Sequence, residues 1–302
     1  MRKKQNLEVF CNEEKLNGIK YLIGSGLAFS LMSVCVKATG ERIPVSELVF
    51  ARAAISLIMT SLLLLKNNIN PWGYQRNLLL IRGLIGTLAL FCIFKALAIL
   101  PIATATIIQY IYPTFTVISA HFILKEYIYK RIFFSIILGW LGIVLVSQPE
   151  WTSNKNIIET LISLTIAIAG ALMTSLAYIC VRKLSEREHP LVIIFYFPLV
   201  SIPLSIPFLI NDFVLPIGIE WVLILGIGFF TQIGQLCITE GLRLIPAGQA
   251  TSLNYSQVIF SGIWGVLIFQ EELTSTIYLG GICVLISTII SMSASKSSQS
   301  SI

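Results

Sequence analysis

The sequence predicts an all-α polytopic membrane protein, with ten transmembrane helices arranged as two inverted five-helix repeats. Three observations carry this. Of 302 residues, 56% are hydrophobic and 12% charged, and the mean hydropathy is +0.84. A soluble core cannot hide that share of apolar side chain without exposing large patches. Apolar runs of about 20 residues recur along the chain, the length that crosses a hydrocarbon layer of roughly 30 Å at 1.5 Å per residue. Finally, the segment that begins at Lys95 returns, in recognisable form, at Glu240. A β-barrel would show short alternating segments, and these runs are continuous.

In order, the spans are expected at 18–38, 46–66, 77–98, 102–124, 131–148, 160–182, 190–210, 219–241, 248–269 and 274–293. Residues 1–17, polar and of mixed charge, read as a cytoplasmic tail, and the first apolar run is too long for a signal-peptide core. The second span carries Glu47 and Arg52, and the third carries Lys95 near its outer end. The fourth opens at Pro101 and holds Pro113, which removes a backbone hydrogen bond and predicts a kink. The fifth ends the first half, 18–148, and 149–159 is read as an external linker to the second half, 160–293. The sixth ends in Arg182-Lys183, the eighth carries Thr231, Gln232, Gln235 and Thr239, and the ninth opens at Pro246. Proline there costs little, because the first N–H groups of a helix are unpaired anyway. After the tenth, the Ser-rich stretch 294–302 reads as a disordered cytoplasmic tail. Short connections make neighbouring spans antiparallel, and frequent Gly, Ser and Thr suit close packing in lipid.

The net charge of +6 does not point to nucleic acid, because the basic residues occupy the gaps between spans. With a cytoplasmic N-terminus, the inner side collects 16 of the 21 Lys and Arg, including Arg82, Lys130, Arg182 and Arg243. The outer side receives Lys37, Arg42 and Lys155, while Arg52 and Lys95 stay within spans. Both termini are therefore expected inside. Of six cysteines, five lie in apolar runs and no CxxC pair occurs, so they read as packing residues. His121 and His189 are isolated, so no metal site and no cofactor is expected.

Set under KALAILPIATATIIQYIYP from Lys95, the stretch EGLRLIPAGQATSLNYSQV from Glu240 aligns at an offset of 145. Leu97 meets Leu242, Pro101 meets Pro246, Ala105-Thr106 meets Ala250-Thr251, Tyr110 meets Tyr255 and Glu126 meets Glu271. The first span obeys the same offset, with Ser30 on Ser175, Cys35-Val36 on Cys180-Val181 and Lys37 on Arg182. A four-residue shift then aligns Leu138-Gly139 with Leu279-Gly280. Matched Pro, Tyr and Glu at one spacing indicate a duplication. Five spans per half is an odd number, so the second half enters the membrane inverted. That architecture suits alternating access, with the substrate bound where the halves meet.

The string RGLIGTLALFCIFKALAILPIATATIIQYIYPTFTVISAHFILKE, from Arg82 to Glu126, resembles the EamA-type pattern of the drug/metabolite transporter superfamily. There a third helix ends in aromatic-x-Ala-Leu, a short Pro/Ala turn follows, and the fourth helix has an internal Pro and a terminal Glu. Arg52 in LVFARAAIS matches an arginine common in that family's second helix, and EGLRLIPAGQATSLNYSQVIFSGIWGVLIFQEE repeats the pattern. The resemblance covers 18–293 and is specific to the superfamily, not to a substrate. It implies a cavity lined by helices 1, 3, 4, 6, 8 and 9. It also implies carriage of amino acids, nucleobases, sugar nucleotides or related metabolites. The chain departs from the pattern at Lys95, where an aromatic or apolar residue is usual, and Lys95 has Glu240 as its repeat partner.

Gln109, Tyr110 and Tyr112, with their repeat partners Asn254, Tyr255 and Gln257, are expected to bind substrate, together with Gln232, Gln235 and Tyr178. Amides and phenols offer donors and acceptors without the cost of buried charge. Interhelical glue is the competing role. Lys95, about 5 Å of rise from its helix end, either snorkels or serves an outer gate. Glu240, at the mirrored depth, is the inner-gate candidate and a candidate proton carrier, and Pro113 is a bending point. Arg52 is expected to be structural, tied to carbonyls or to Glu47.

The leading reading is a secondary transporter in a bacterial inner membrane, monomer or homodimer, with protons as candidate coupling ion. Its substrate is a small metabolite, with aromatic or bulky amino acids first. A nucleoside-bearing metabolite such as S-adenosylmethionine or a nucleotide sugar is the alternative. A channel keeps the fold but not two alternating gates. A membrane enzyme would want inward carboxylate pairs or histidine clusters, and the one aspartate, Asp212, is expected in a loop. No phosphate-binding loop for ATP appears.

Overall fold

The computed structural model describes residues 2–40, 42–99, 108–147, 157–270 and 275–294, and their regular structure is helical throughout. The helices are α1 (Arg2–Ala38), α2 (Val45–Lys66), α3 (Arg76–Ile99), α4 (Tyr112–Ser119) and α5 (Lys130–Ser147) in the first half. The second half has α6 (Ile157–Leu184), α7 (Pro190–Asp212), α8 (Glu220–Leu244), α9 (Ala247–Leu253), α10 (Ser256–Phe269) and α11 (Ser275–Ala294). Seven stretches are long and apolar enough to cross a membrane, with α9 and α10 together forming one of them. The shorter apolar stretches Tyr112–Leu124 and Tyr278–Ser291, with α5, complete the ten crossings. Large side chains such as Leu65, Phe134 and Leu225 face outward, as lipid requires. Pro101, Ala105-Thr106, Lys155 and Glu271 fall outside the described residues.

α1 begins at Arg2, well before the expected span at 18. Residues 2–17 include three Lys, three Glu, two Leu and one Arg, all good helix formers, so the helix continues into the polar segment.

The duplication is visible in the packing. α1 packs on α8 as α6 packs on α3, α2 packs on α7, and α5 packs on α11. Exchanging the halves leaves this pairing unchanged. It is visible in the backbone too. Helix geometry breaks at Tyr110-Ile111 and again at Asn254-Tyr255. At both places the hydrogen bonds tighten to three residues: Ile111 N–H donates to the Ile108 carbonyl (3.1 Å) and Asn254 N–H to that of Thr251 (3.2 Å). Further along, Lys125 (φ 57°) and Gln270 (φ 54°) both cap their helices in the left-handed region. Each donates its N–H five residues back, to Ala120 and Gly265. The fourth crossing adds a π-helical turn, Ala120–Leu124.

Pro113 stands directly after the first break, in the opening turn of α4. Its counterpart in the second half is Val258, and the helix breaks there as well. Proline therefore does not account for the interruption by itself.

The largest buried apolar cluster closes one end of the bundle. Leu22 of α1, Leu79 of α3, Leu184 of α6, Leu242 near the end of α8 and Ile245 just after it are fully buried there. Close approach of α5 to α9 and α10 depends on Gly139, where any Cβ would collide with the Tyr255 ring. α5 and α11 are joined by reciprocal bonds: Ser135 Oγ donates to the Ser287 carbonyl (2.9 Å) and Ser287 Oγ to that of Ser135 (2.6 Å).

Candidate functional site: a central cavity with two arginines

A cavity of about 200 Å³ lies where the halves meet. Its walls come from both halves, and several lining residues are repeat partners at the offset of 145: Phe29 with Thr174, Met32 with Ala177, Leu90 with Gln235, and Arg52 with Phe197. Arg52 in fact meets its own partner, its guanidinium 5.7 Å from the centre of the Phe197 ring. Tyr255 likewise donates its hydroxyl to the carbonyl of its partner Tyr110 at 3.4 Å, with the rings 6.1 Å apart. Contacts between equivalent residues place these groups on the axis that relates the halves.

Two cations reach this cavity. Arg82 is 4% exposed, and its guanidinium stands 4.9 Å from the centre of the same Phe197 ring. One of its nitrogens, Nη2, makes a long bond to Gln235 Oε1 (3.4 Å), while Nε and Nη1 have no partner among the described residues. The expected tie between Arg52 and Glu47 does not form. Glu47 instead accepts the N–H of Val214 (3.0 Å), holding the loop after α7, and Arg52 lines the cavity. Arg82, counted in the sequence among inner loop charges, is a further correction. It lies six residues into α3, about 9 Å of rise from the helix start. That depth was the available signal. Phe197 is followed at once by Pro198, which deprives α7 of a backbone hydrogen bond beside the cavity.

Gln109, Tyr178, Gln235 and Gln257 all line the cavity. Tyr110, Tyr112, Asn254 and Tyr255 form a layer behind it, at the two helix breaks. Asn254 Nδ2 donates to the Tyr112 hydroxyl (3.1 Å), and the Tyr112 and Tyr178 rings lie 5.5 Å apart. Tyr255 is fully buried. Gln232 lies elsewhere, buried between α8 and α2. Its Oε1 accepts from Ser56 (2.5 Å) and its Nε2 donates to Thr60 (2.8 Å). Lys95 is exposed on α3, away from the cavity lining. Glu240 accepts from Arg243 Nε of its own helix at 2.8 Å, also away from the lining.

A second cavity, about 230 Å³, lies further along α1 and α10, lined by Ser30, Ser33, Lys37, Trp264 and Phe269 among others. Trp264 Nε1 donates to Ser30 Oγ (3.0 Å), and Lys37 Nζ lies 4.3 Å above the Phe269 ring. A larger groove of about 400 Å³ between α10 and α11 has apolar walls and offers nothing to orient a polar ligand.

At the end closed by the leucine cluster, a polar latch joins the halves. Arg182, ending α6, reaches Glu126 with Nε (3.3 Å) and donates Nη1 to the carbonyls of Leu242 (2.8 Å) and Arg243 (2.6 Å). Glu126 also accepts the N–H of Ala247, the first residue of α9, at 3.0 Å. The cation thus satisfies carbonyls at the end of α8, and the anion sits at the start of α9.

Comparison with known proteins agrees with this architecture. A solved crystal structure superposes with a TM-score of 0.82 at 18% identity, over 94% of this chain and 98% of that one. The pseudopaline exporter CntI of Pseudomonas aeruginosa is 28% identical over 274 residues, covering 90% of this chain and 95% of the relative. The S-adenosylmethionine uptake transporter of Rickettsia prowazekii is 25% identical over 287 residues, covering 95% and 96%. Solute carrier family 35 member G1 of Mus musculus is 26% identical, covering 90% and 77%. The model of the EamA-like transporter family matches residues 16–148 and 161–293, so this multi-pass membrane protein belongs to the EamA-like transporter family.

Proposed function

We propose that this transporter carries a small organic metabolite of amino-acid size across a bacterial inner membrane, by alternating access around the central cavity. The observation that carries the reading is the cavity itself: polar, charged, on the axis between inverted halves, and flanked by two broken helices. Its volume of about 200 Å³ is below the roughly 300–1,000 Å³ of sites for drug-sized ligands. That favours an amino-acid-like substrate over a nucleoside-bearing one. The end carrying Arg182 and Arg243 is cytoplasmic in this reading, by the Lys/Arg rule. The Glu126–Arg182 latch and the leucine cluster then close the inner gate in this conformation.

The S-adenosylmethionine relative supports a second reading, in which Tyr178 and Phe197 stack on a planar base and the cavity widens to admit it. Counterflow in proteoliposomes separates the two. A labelled amino-acid mixture should exchange saturably, and S-adenosylmethionine should compete poorly. Efficient competition by S-adenosylmethionine alone would reverse the order, and unsaturable flux of every solute would remove the carrier reading.

A further inference from the structure

We infer that the substrate held in this cavity carries two carboxylates, one for each of Arg52 and Arg82. The inference rests on the central cavity being the transport site. Two guanidinium groups, from α2 and α3, converge on one ring, that of Phe197. Burying an arginine in the membrane is costly, and two like charges close together add repulsion. Such a pair persists when something supplies the opposite charge.

The protein does not supply it among the described residues, where neither guanidinium has a carboxylate partner. Five described carboxylates are engaged elsewhere. Glu47 holds Val214, Glu126 holds Arg182 and Ala247, and Glu188 holds the N–H groups of Tyr74 and Gln75. Glu220 holds Arg42, and Glu240 holds Arg243. Arg82 meanwhile keeps Nε and Nη1 unpartnered while buried against the cavity. Nε and Nη1 flank Nη2, whose two N–H groups cannot both be taken by the single Gln235 bond. An edge of two parallel N–H groups, Nη2 with Nε or Nη2 with Nη1, therefore stays open to grip a carboxylate with two parallel bonds. Two forks on two helices match two planar groups on a short chain better than one tetrahedral anion. Gln109, Gln235 and Gln257 then offer neutral donors and acceptors to the remainder of the molecule. A neutral amino acid would leave one fork unanswered.

The test uses the purified full-length protein in detergent and reads apparent affinity from the rise in thermal midpoint. The probes are L-glutamate and L-2-aminoadipate as diacids, L-glutamine and L-phenylalanine as monocarboxylates, and inorganic phosphate. The diacids should bind about tenfold or more tighter than L-glutamine, the effect of one charge-assisted pair. Arg52→Gln and Arg82→Gln should each remove that advantage. Equal affinity for L-glutamate and L-glutamine, tighter binding of phosphate than of either diacid, or no stabilisation by the diacids would each overturn the inference. These arms need only the unaltered protein, so a variant that fails to fold does not blunt them. Counterflow of the labelled amino-acid mixture separates this inference from the reading beneath it. Loss in Gln257→Ala with no change in either arginine variant sinks the two-carboxylate inference alone. No change in all three variants removes the cavity as the transport site too.

Discussion

Residues that look alike in the sequence take different roles once their surroundings are known, and substitutions at three of them expose the difference. Gln232 and Gln235 lie one helical turn apart on α8, yet only Gln235 lines the cavity. Gln232 is fully buried and bonded to Ser56 and Thr60. Gln232→Leu should therefore leave the Ser56 hydroxyl without its acceptor, while Thr60 keeps its bond to the Ser56 carbonyl. The change should cost about 1–3 kcal/mol and lower the thermal midpoint, with KM for the transported substrate unchanged. Tyr255 invites an affinity role, but its ring fills the space over Gly139. Tyr255→Ala should open a void, costing about 3–5 kcal/mol as for large aromatic truncations, and show as lost folded protein. Tyr255→Phe gives up only a 3.4 Å hydrogen bond and should retain both fold and transport. Glu240 is held by Arg243, whose side chain is 48% exposed. An exposed pair of this kind contributes at most about 1 kcal/mol. Glu240→Gln should thus leave the pH profile of transport unmoved, and a flattened profile would return Glu240 to a coupling role.

Among the elements, the fourth and ninth crossings are the two that break beside the cavity, and the sequence showed them unevenly. Tyr110 and Tyr255 were legible as partners because each half keeps the tyrosine and a proline at the helix start. The helix breaks beside them were half legible, since Pro113 marks the first and nothing comparable marks the second. The cavity amides Gln109 and Gln257 stood out as polar residues in apolar runs. Arg82 did not, because a basic residue near a helix end satisfies the rule for loop charges equally well. Its neighbours on the cavity wall, Phe29 and Phe197, are indistinguishable in sequence from the phenylalanines that face lipid. The latch was visible only as a repeated spacing of Glu126 and Glu271, without the bond to Arg182 that makes it a clasp between halves. Glu126→Gln weakens that clasp. Hydrogen bonds to charged groups contribute about 1.5–3 kcal/mol each, so the balance should move toward opening at that end by roughly tenfold or more. A cysteine placed at Gln235 should then react faster with a thiol reagent applied from the Arg182 side. Unchanged labelling would show that the leucine cluster alone keeps this gate closed.

For the whole molecule, the decisive property is parity. Five crossings per half invert the second copy, so one duplicated sequence presents equivalent helix ends to opposite faces. Composition and run length made the crossings legible, and the repeat made the inversion legible, because both are patterns that many residues share. Pairing across the halves, such as α1 on α8 and α6 on α3, was not, because apolar faces of similar helices carry no address. The same parity fixes which loops share a side. Lys130 follows Glu126 by one short hairpin, and Lys183 follows Arg182, so the Glu126–Arg182 bond brings both loops to one end. Arg42 and Glu220, bonded to each other, mark the opposite end. In right-side-out cells, single cysteines at Lys130 and Lys183 should resist a membrane-impermeant reagent until the membrane is opened, and one at Ile217 should react at once. Reaction of the first two and protection of the third would reverse the orientation but keep the inversion. Opposite behaviour of positions 130 and 183 would break the inversion itself, and with it the placing of the cavity between two halves that exchange roles.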